Sequence, residues 1–145
     1  MKIAVFAGTF DPFTIGHQDI VNRALPLFDK ILIAIGINEE KTPLFSLEER
    51  MKIMSKAFIH NEKIIVDTYT GLTGAFCKKN NARFLIRGIR NSADFQYEND
   101  LAQTNNELFG LETVLFITAP TLSHVSSSLV RELYKNKGNY LNYLP

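Results

Sequence analysis

Apolar residues fall in five short runs separated by polar stretches in which apolar positions recur at helical spacing. Ile3 to Ala7 and Lys30 to Ile37 are nearly unbroken and rich in Val, Ile and Ala, as strands covered on both faces of a parallel sheet are. Ile64 to Asp67, Ala82 to Arg87 and Glu112 to Ile117 are shorter runs bounded by turn-forming residues and predict three further strands. Between the first two runs, Ile20, Val21, Ala24, Leu25 and Phe28 predict an amphipathic helix that Pro26 ends or kinks near Leu25. Ser46-Leu-Glu-Glu49 is a capping box opening a helix with Leu47, Met51, Met54 and Phe58 on one face. Leu72 to Lys79 predicts a short helix weakened by Gly74. Ser92 is the expected cap of a long helix carrying Phe95, Leu101, Ala102, Asn105 and Leu108, with Phe95 and Tyr97 assigned to its core face. Ser126-Ser127-Ser128 leads into a last helix with Leu129, Val130, Leu133 and Tyr134. Strands alternating with helices predict an α/β fold: a doubly wound, five-stranded parallel sheet, Rossmann-like, with helices on both faces. Such sheets bind ligands beyond the carboxyl ends of the strands, where the strand order reverses.

Length and charge narrow the reading. A chain of 145 residues with 46% hydrophobic residues suits one domain, residues 1–145, built on one continuous core. Sixteen Lys and Arg stand against fifteen Asp and Glu, so no global positive field draws the chain to nucleic acid or to an anionic membrane. No run approaches the roughly 18 apolar residues of a membrane span, and no charged-then-apolar leader precedes the first strand, so a cytoplasmic location is expected. Cys77 is alone and reads as a small core residue.

The candidate chemistry gathers at Gly8-Thr-Phe-Asp-Pro-Phe-Thr-Ile-Gly-His17, the turn from the first strand into the first helix. Gly8 is expected to leave the strand in a conformation barred to other residues, and Pro12 to fix one dihedral. Gly16 is expected to remove a side chain where ligand approaches. The first helical amides and the positive end of the helix dipole then face the ligand, with His17 as a side-chain donor. The simpler alternative is a glycine-containing loop with a surface histidine. Thr9, Lys41, Thr73, Arg87, Arg90 and the serine run all follow strands. Lys41, Arg87 and Arg90 are the cations expected on that rim, a set suited to several phosphates. There is no convergent ligand spacing for a protein-held metal, no Walker lysine and no dinucleotide glycine triplet.

Taken together, Gly8-Thr-Phe-Asp-Pro12, Thr14-Ile-Gly-His17, Arg87-Gly-Ile-Arg90, Asp94-Phe-Gln-Tyr-Glu98 and Val125-Ser-Ser-Ser128 resemble the bacterial phosphopantetheine adenylyltransferase family over nearly the whole chain. The resemblance implies transfer of AMP from ATP to 4′-phosphopantetheine, giving dephospho-coenzyme A and pyrophosphate, the penultimate step of coenzyme A synthesis. It implies Mg2+ carried by the ATP phosphates, a homohexamer, and His17, Lys41 and Arg90 as catalytic residues. It places Thr9, Phe10, His17, Gly88, Ile89, Arg90, Glu98, Leu122, Ser123, His124, Val125, Ser126, Ser127 and Ser128 at ATP. Thr9, Lys41, Thr73 and Arg87 would face the pantetheine substrate. The chain departs from the pattern at Ala7, where proline is common, at Thr73, where a larger apolar residue is frequent, and at Asn106, where a basic residue often lies. Its tail is short for the family, so a reduced C-terminal helix is expected. The runner-up is a related nucleotidyltransferase acting on another phosphate acceptor such as nicotinamide mononucleotide. A nucleotide-sensing module that has lost turnover is the non-enzymatic alternative.

Overall fold

In the computed structural model, which describes residues Met1–Pro145, strands and helices alternate as the hydrophobic pattern predicts. The order is β1 (Ile3–Gly8), α1 (Ile15–Ala24), β2 (Lys30–Gly36), α2 (Leu47–Ala57), β3 (Ile64–Tyr69), α3 (Thr73–Lys79), β4 (Phe84–Ile89), α4 (Ser92–Phe109), β5 (Glu112–Ile117) and α5 (Ser127–Lys135). All five strands are parallel, in the order β3-β2-β1-β4-β5. None of the helices is long and apolar enough to cross a membrane.

Instead of the one continuous core expected, alternate residues of the central strands feed two separate cores, because successive side chains of a strand point to opposite faces of the sheet that divides them. Ala4, Phe6, Ile31, Ile33 and Ile35 pack with Ile20, Val21 and Ala24 of α1 and Met54 of α2. Val5, Ala7, Leu32, Ala34 and Leu85 pack on the other face with Phe76 and Cys77 of α3 and Leu111. The chain moves outward from β1 through β2 to β3, then returns to the other side of β1 for β4 and β5. Crossovers of one hand place their helices on opposite faces for the two directions of travel. Cys77 is fully buried, and burial pushes its thiol up to about 11, which suits the core role expected of it.

The reversal falls between β1 and β4. β1 pairs with β2 from Ile3↔Lys30 to Gly8↔Ile35, but with β4 only at Ala4↔Phe84 and Val5↔Leu85. The two central strands therefore part over their carboxyl-terminal halves and open a crevice at the position the topology rule names.

Several local expectations need correction. β4 begins at Phe84 rather than Ala82, since Asn81 takes a positive φ of 58° and the Ala82 amide still donates to Cys77 O. It continues to Ile89, paired to Ile117, so Arg87 lies within the strand. Asn91, not Ser92, caps α4: it is extended, and its carboxamide oxygen accepts from Asp94 N at 2.9 Å. Phe95 and Tyr97 are 48% and 62% exposed rather than core, because α4 turns Glu98, Leu101, Ala102 and Asn105 inward instead. Gly74 is compatible with α3 for a steric reason: a Cβ there would lie 2.1 Å from the Phe109 ring.

Candidate functional site

The crevice between β1 and β4 is a cleft of about 360 Å3, floored by the β1–α1 turn and walled by β4, α4 and the start of α5. Two helices aim their amino ends into it. Thr14 caps α1 and Ser126 caps α5, and Val125 O lies 3.7 Å from where a Cβ on Gly16 would sit. Each first turn offers amide donors and the positive end of a dipole to an anion. A Cβ at Gly16 would make only ordinary contacts, 3.4 Å to Thr14 Oγ1 and 3.7 Å to Val125 O, so the fold alone does not require glycine there.

The turn itself is built differently from the expectation. Gly8 is not in the left-handed region; Phe10 is, at φ 48°. That conformation costs an L-residue about 1 to 2 kcal/mol and persists only where the surroundings impose it. Gly8 contributes space instead, since a Cβ there would sit 3.2 Å from the Phe10 ring. The buried Phe10 ring packs edge-on to Phe13 at 5.3 Å and to His17 at 5.1 Å.

His17 occupies the third position of α1 and completes a capping box: Thr14 N donates to His17 Nδ1 at 3.0 Å while His17 N donates to Thr14 Oγ1 at 3.4 Å. With Nδ1 accepting, the proton of the neutral ring resides on Nε2. Burial, then the charges of Arg90 and Arg87, lower its pKa from 6.5 to about 4. At neutral pH the ring is an uncharged donor held against Phe13, to which it stacks at 5.2 Å.

Arg87 is fully engaged on one side. Its Nε and one terminal nitrogen donate to the two carboxylate oxygens of buried Glu98 at 2.8 and 2.7 Å, and the other terminal nitrogen donates to Ala7 O at 3.1 Å. Burial works against its charge, but the hydrogen bonds and charge of Glu98 outweigh that and raise its pKa above the ordinary value. Three of five N–H donors are spent, which leaves two for an anion. Glu98 thus has a reason that sequence alone did not supply: it orients Arg87. Arg90 is more exposed, its amide held by Asp94 at 2.9 Å and its side chain 3.5 Å from the same carboxylate.

The cleft brings together Thr9, Phe10, His17, Arg87, Gly88, Arg90, Glu98, Val125, Ser126 and Ser127. A second cavity of about 500 Å3 adjoins it, sharing Thr9, Asp11 and Arg131, and Lys41 and Arg50 line this second cavity only. Ile89, Thr73, Leu122, Ser123, His124 and Ser128 line neither cavity. Thr73 Oγ1 instead meets Tyr69 OH at 2.7 Å, Ser123 Oγ donates to Pro120 O, and exposed His124 packs edge-on to Tyr143. The serine hydroxyls are structural as well: Ser127 Oγ donates to Pro12 O at 2.7 Å and Ser128 Oγ accepts from Arg131 at 3.0 Å.

Lys41, Arg87 and Arg90 are not the only cations here. Arg50 on α2 donates to Thr9 O at 2.9 Å, and Arg131 on α5 donates to Asp11 O at 2.8 Å. A signal for both was present. Arg50 shares the inward stripe of α2 with Leu47 and Met54, and Arg131 sits one turn after Ser127 and Ser128 on the face of α5 that begins at the cleft.

Residues 5–133 match the cytidylyltransferase-like family. The chain is 48% identical over its whole length to phosphopantetheine adenylyltransferase of Flavobacterium johnsoniae, covering 95% of that protein. It is likewise 48% identical over 99% of its length to the enzyme of that name from Cytophaga hutchinsonii, covering 97% of it. Among solved structures, a bifunctional NMN adenylyltransferase/ADP ribose pyrophosphatase from Francisella tularensis superposes on 99% of this chain with a TM-score of 0.73 at 16% identity, over 44% of its own length. That likeness is one of fold. With 48% identity over essentially the whole chain added to a cationic cleft at the strand reversal, the chain belongs to the phosphopantetheine adenylyltransferase family of cytidylyltransferase-like nucleotidyltransferases.

Proposed function

We propose that the chain transfers AMP from ATP to 4′-phosphopantetheine, forming dephospho-coenzyme A and pyrophosphate, in the cytoplasm and as a homohexamer. One observation carries the assignment of two substrates: the nucleotide-sized cleft and the Lys41 cavity are adjacent and share Thr9, so two anionic ligands can meet at one wall. The relatives' shared name supports the acceptor.

An oxygen of the acceptor phosphate attacks the α-phosphorus of ATP, the bond to the β-phosphate bridging oxygen breaks, and pyrophosphate leaves with that electron pair. The attacking group is already an anion at neutral pH, so no strong base is needed. His17 Nε2–H donates to the crowded α-phosphate. Arg90 and the amides of α1 and α5 hold the nucleotide phosphates, and Lys41 with the two unused N–H groups of Arg87 holds the acceptor phosphate. The cleft offers cations and amides, its carboxylates Asp11, Asp94 and Glu98 already accept from protein N–H groups, and no group of three His, Cys, Asp or Glu stands ready to hold a metal. That set fits a Mg2+ ion bound by phosphate oxygens and water, which would offset charge on the leaving pyrophosphate.

Light scattering that returns the monomer mass would overturn the hexamer. A coupled pyrophosphate-release assay with ATP and a panel of acceptors tests the reaction: release is expected with 4′-phosphopantetheine and not with dephosphorylated pantetheine or nicotinamide mononucleotide. Equal turnover of pantetheine and its phosphate would remove Lys41 and Arg87 from acceptor binding.

A further inference from the structure

The buried carboxylate of Asp11 and the buried guanidinium of Arg50 belong to the β1–α1 turn and to α2, yet both reach the segment that follows Lys41. Asp11 accepts from two successive amides, Leu44 N at 2.9 Å and Phe45 N at 2.8 Å. Arg50 closes the same junction from the other side, its Nε donating to Phe45 O at 3.1 Å and a terminal nitrogen to Thr9 O at 2.9 Å. Two residues with opposite charges thus clamp residues 44–45 to residues 9–11. Neither spends its charge on the other: no Asp11–Arg50 ion pair forms, and backbone groups satisfy both.

The position of the clamp matters for the proposed reaction. Thr9 and Asp11 line both cavities, whereas Lys41 lines only the second and stands on an exposed loop that Pro43 stiffens just before Leu44. Lys41 has no side-chain partner of its own to hold it. Its distance from the nucleotide cleft is therefore set by where the chain is pinned three residues later. Phe10, held in the left-handed region between Thr9 and Asp11, fixes the other half of the junction.

We infer that Asp11 and Arg50 are positioning residues for the acceptor, holding the Lys41 loop in register with Thr9 so that the second cavity forms beside the first. The inference rests on the proposed reaction, since it assigns Lys41 to the acceptor phosphate. Carboxylate acceptors bonded to successive amides are strong and directional, and a carboxamide of the same shape presents a donor where one amide needs an acceptor.

The test is steady-state kinetics on the full-length chain with both substrates varied. Asp11→Asn is expected to raise the KM for 4′-phosphopantetheine by about tenfold or more, the worth of one charge-assisted hydrogen bond, with the KM for ATP within about threefold of the parent. Arg50→Lys keeps a charge but cannot bridge two carbonyls with a planar fork, so the same split is expected from it. Equal effects on both substrates, or none, would overturn the inference, because a purely structural residue has no reason to favour the acceptor. Hydrogen exchange on the unliganded parent tests the clamp without any variant: the Leu44 and Phe45 amides should exchange markedly more slowly than those of Glu39 to Thr42. Exchange as fast as in that neighbouring stretch would overturn it even if both variants fail to fold. A parent that releases no pyrophosphate with 4′-phosphopantetheine refutes the reaction instead, and the exchange result then decides the clamp alone.

Discussion

Replacing His17 with Gln separates the electrostatic cost of the site from its scaffolding. Glutamine is a natural third residue of a capping box, so its side chain can still accept from Thr14 N while carrying no titratable group. In the parent, the folded-state pKa of about 4 lies below the ordinary 6.5, so between those values the unfolded chain binds the extra proton. Stability from the neutral buried ring is complete above 6.5 and is lost as pH falls through that window to about 4. The whole gap corresponds to about 3 kcal/mol, and about 2 kcal/mol of it is gone by about pH 5. Urea unfolding of parent and His17→Gln at about pH 7.5 and about pH 5 should therefore show the parent losing about 2 kcal/mol more than the variant. His60, His124 and the carboxylates are common to both chains and cancel in the comparison. Parallel losses in the two proteins would mean that His17 is charged or solvated in the folded state, and its role as a neutral Nε2–H donor would go with it.

Other expectations follow from the same geometry. His17→Ala should bind ATP within about tenfold of the parent yet turn over at least about a hundredfold more slowly, since the lost donor acts chiefly as charge builds on the α-phosphate; calorimetry and single-turnover kinetics check it, and near-parental chemistry with weak ATP binding would reduce His17 to a ground-state contact. Arg87→Ala should raise the acceptor requirement more than the ATP requirement, and should also destabilise the chain because Glu98 is left buried without its partner; an unchanged acceptor KM would place the arginine elsewhere. Gly74→Ala should destabilise the fold by about 1 to 2 kcal/mol despite alanine's better helix propensity, because its Cβ would overlap the Phe109 ring; an equal or higher unfolding midpoint by urea titration would show that the ring moves aside freely.

The parts of this molecule that were readable in advance share one property: their cause is local. Strand runs, the Ser46 capping box and the order of elements each follow from a few neighbouring residues, and parallel topology then places the cleft without further information. His17 was legible as a donor at a helix start, but not as the third residue of its own capping box, which fixes its tautomer. Glu98 and Asp11 were illegible as to role because their partners lie eleven and thirty-three or more residues away and are backbone or side-chain groups without a periodic signal. The Gly8 error has the same origin. A glycine at a strand end suggests a left-handed turn, yet the strained residue is Phe10, and what imposes its conformation is packing against Phe6, Phe13 and His17 together with the Arg50 contact to Thr9 O.

Arg50 and Arg131 carry no such local signal of their role, since their partners lie 41 and 120 residues away. The topology rule points to cations that follow strands, whereas both arrive from helices and donate to the carbonyls of the β1–α1 turn. Ser127 joins them at Pro12 O, so the carbonyls of Thr9, Asp11 and Pro12 all accept from side chains of α2 or α5. With its carbonyls committed to these helices, the turn is held from outside while its inner face stays open to the cleft. The surface proposed to bind the phosphates is thus held in shape by the fold itself, and on that proposal binding energy need not be spent on assembling it.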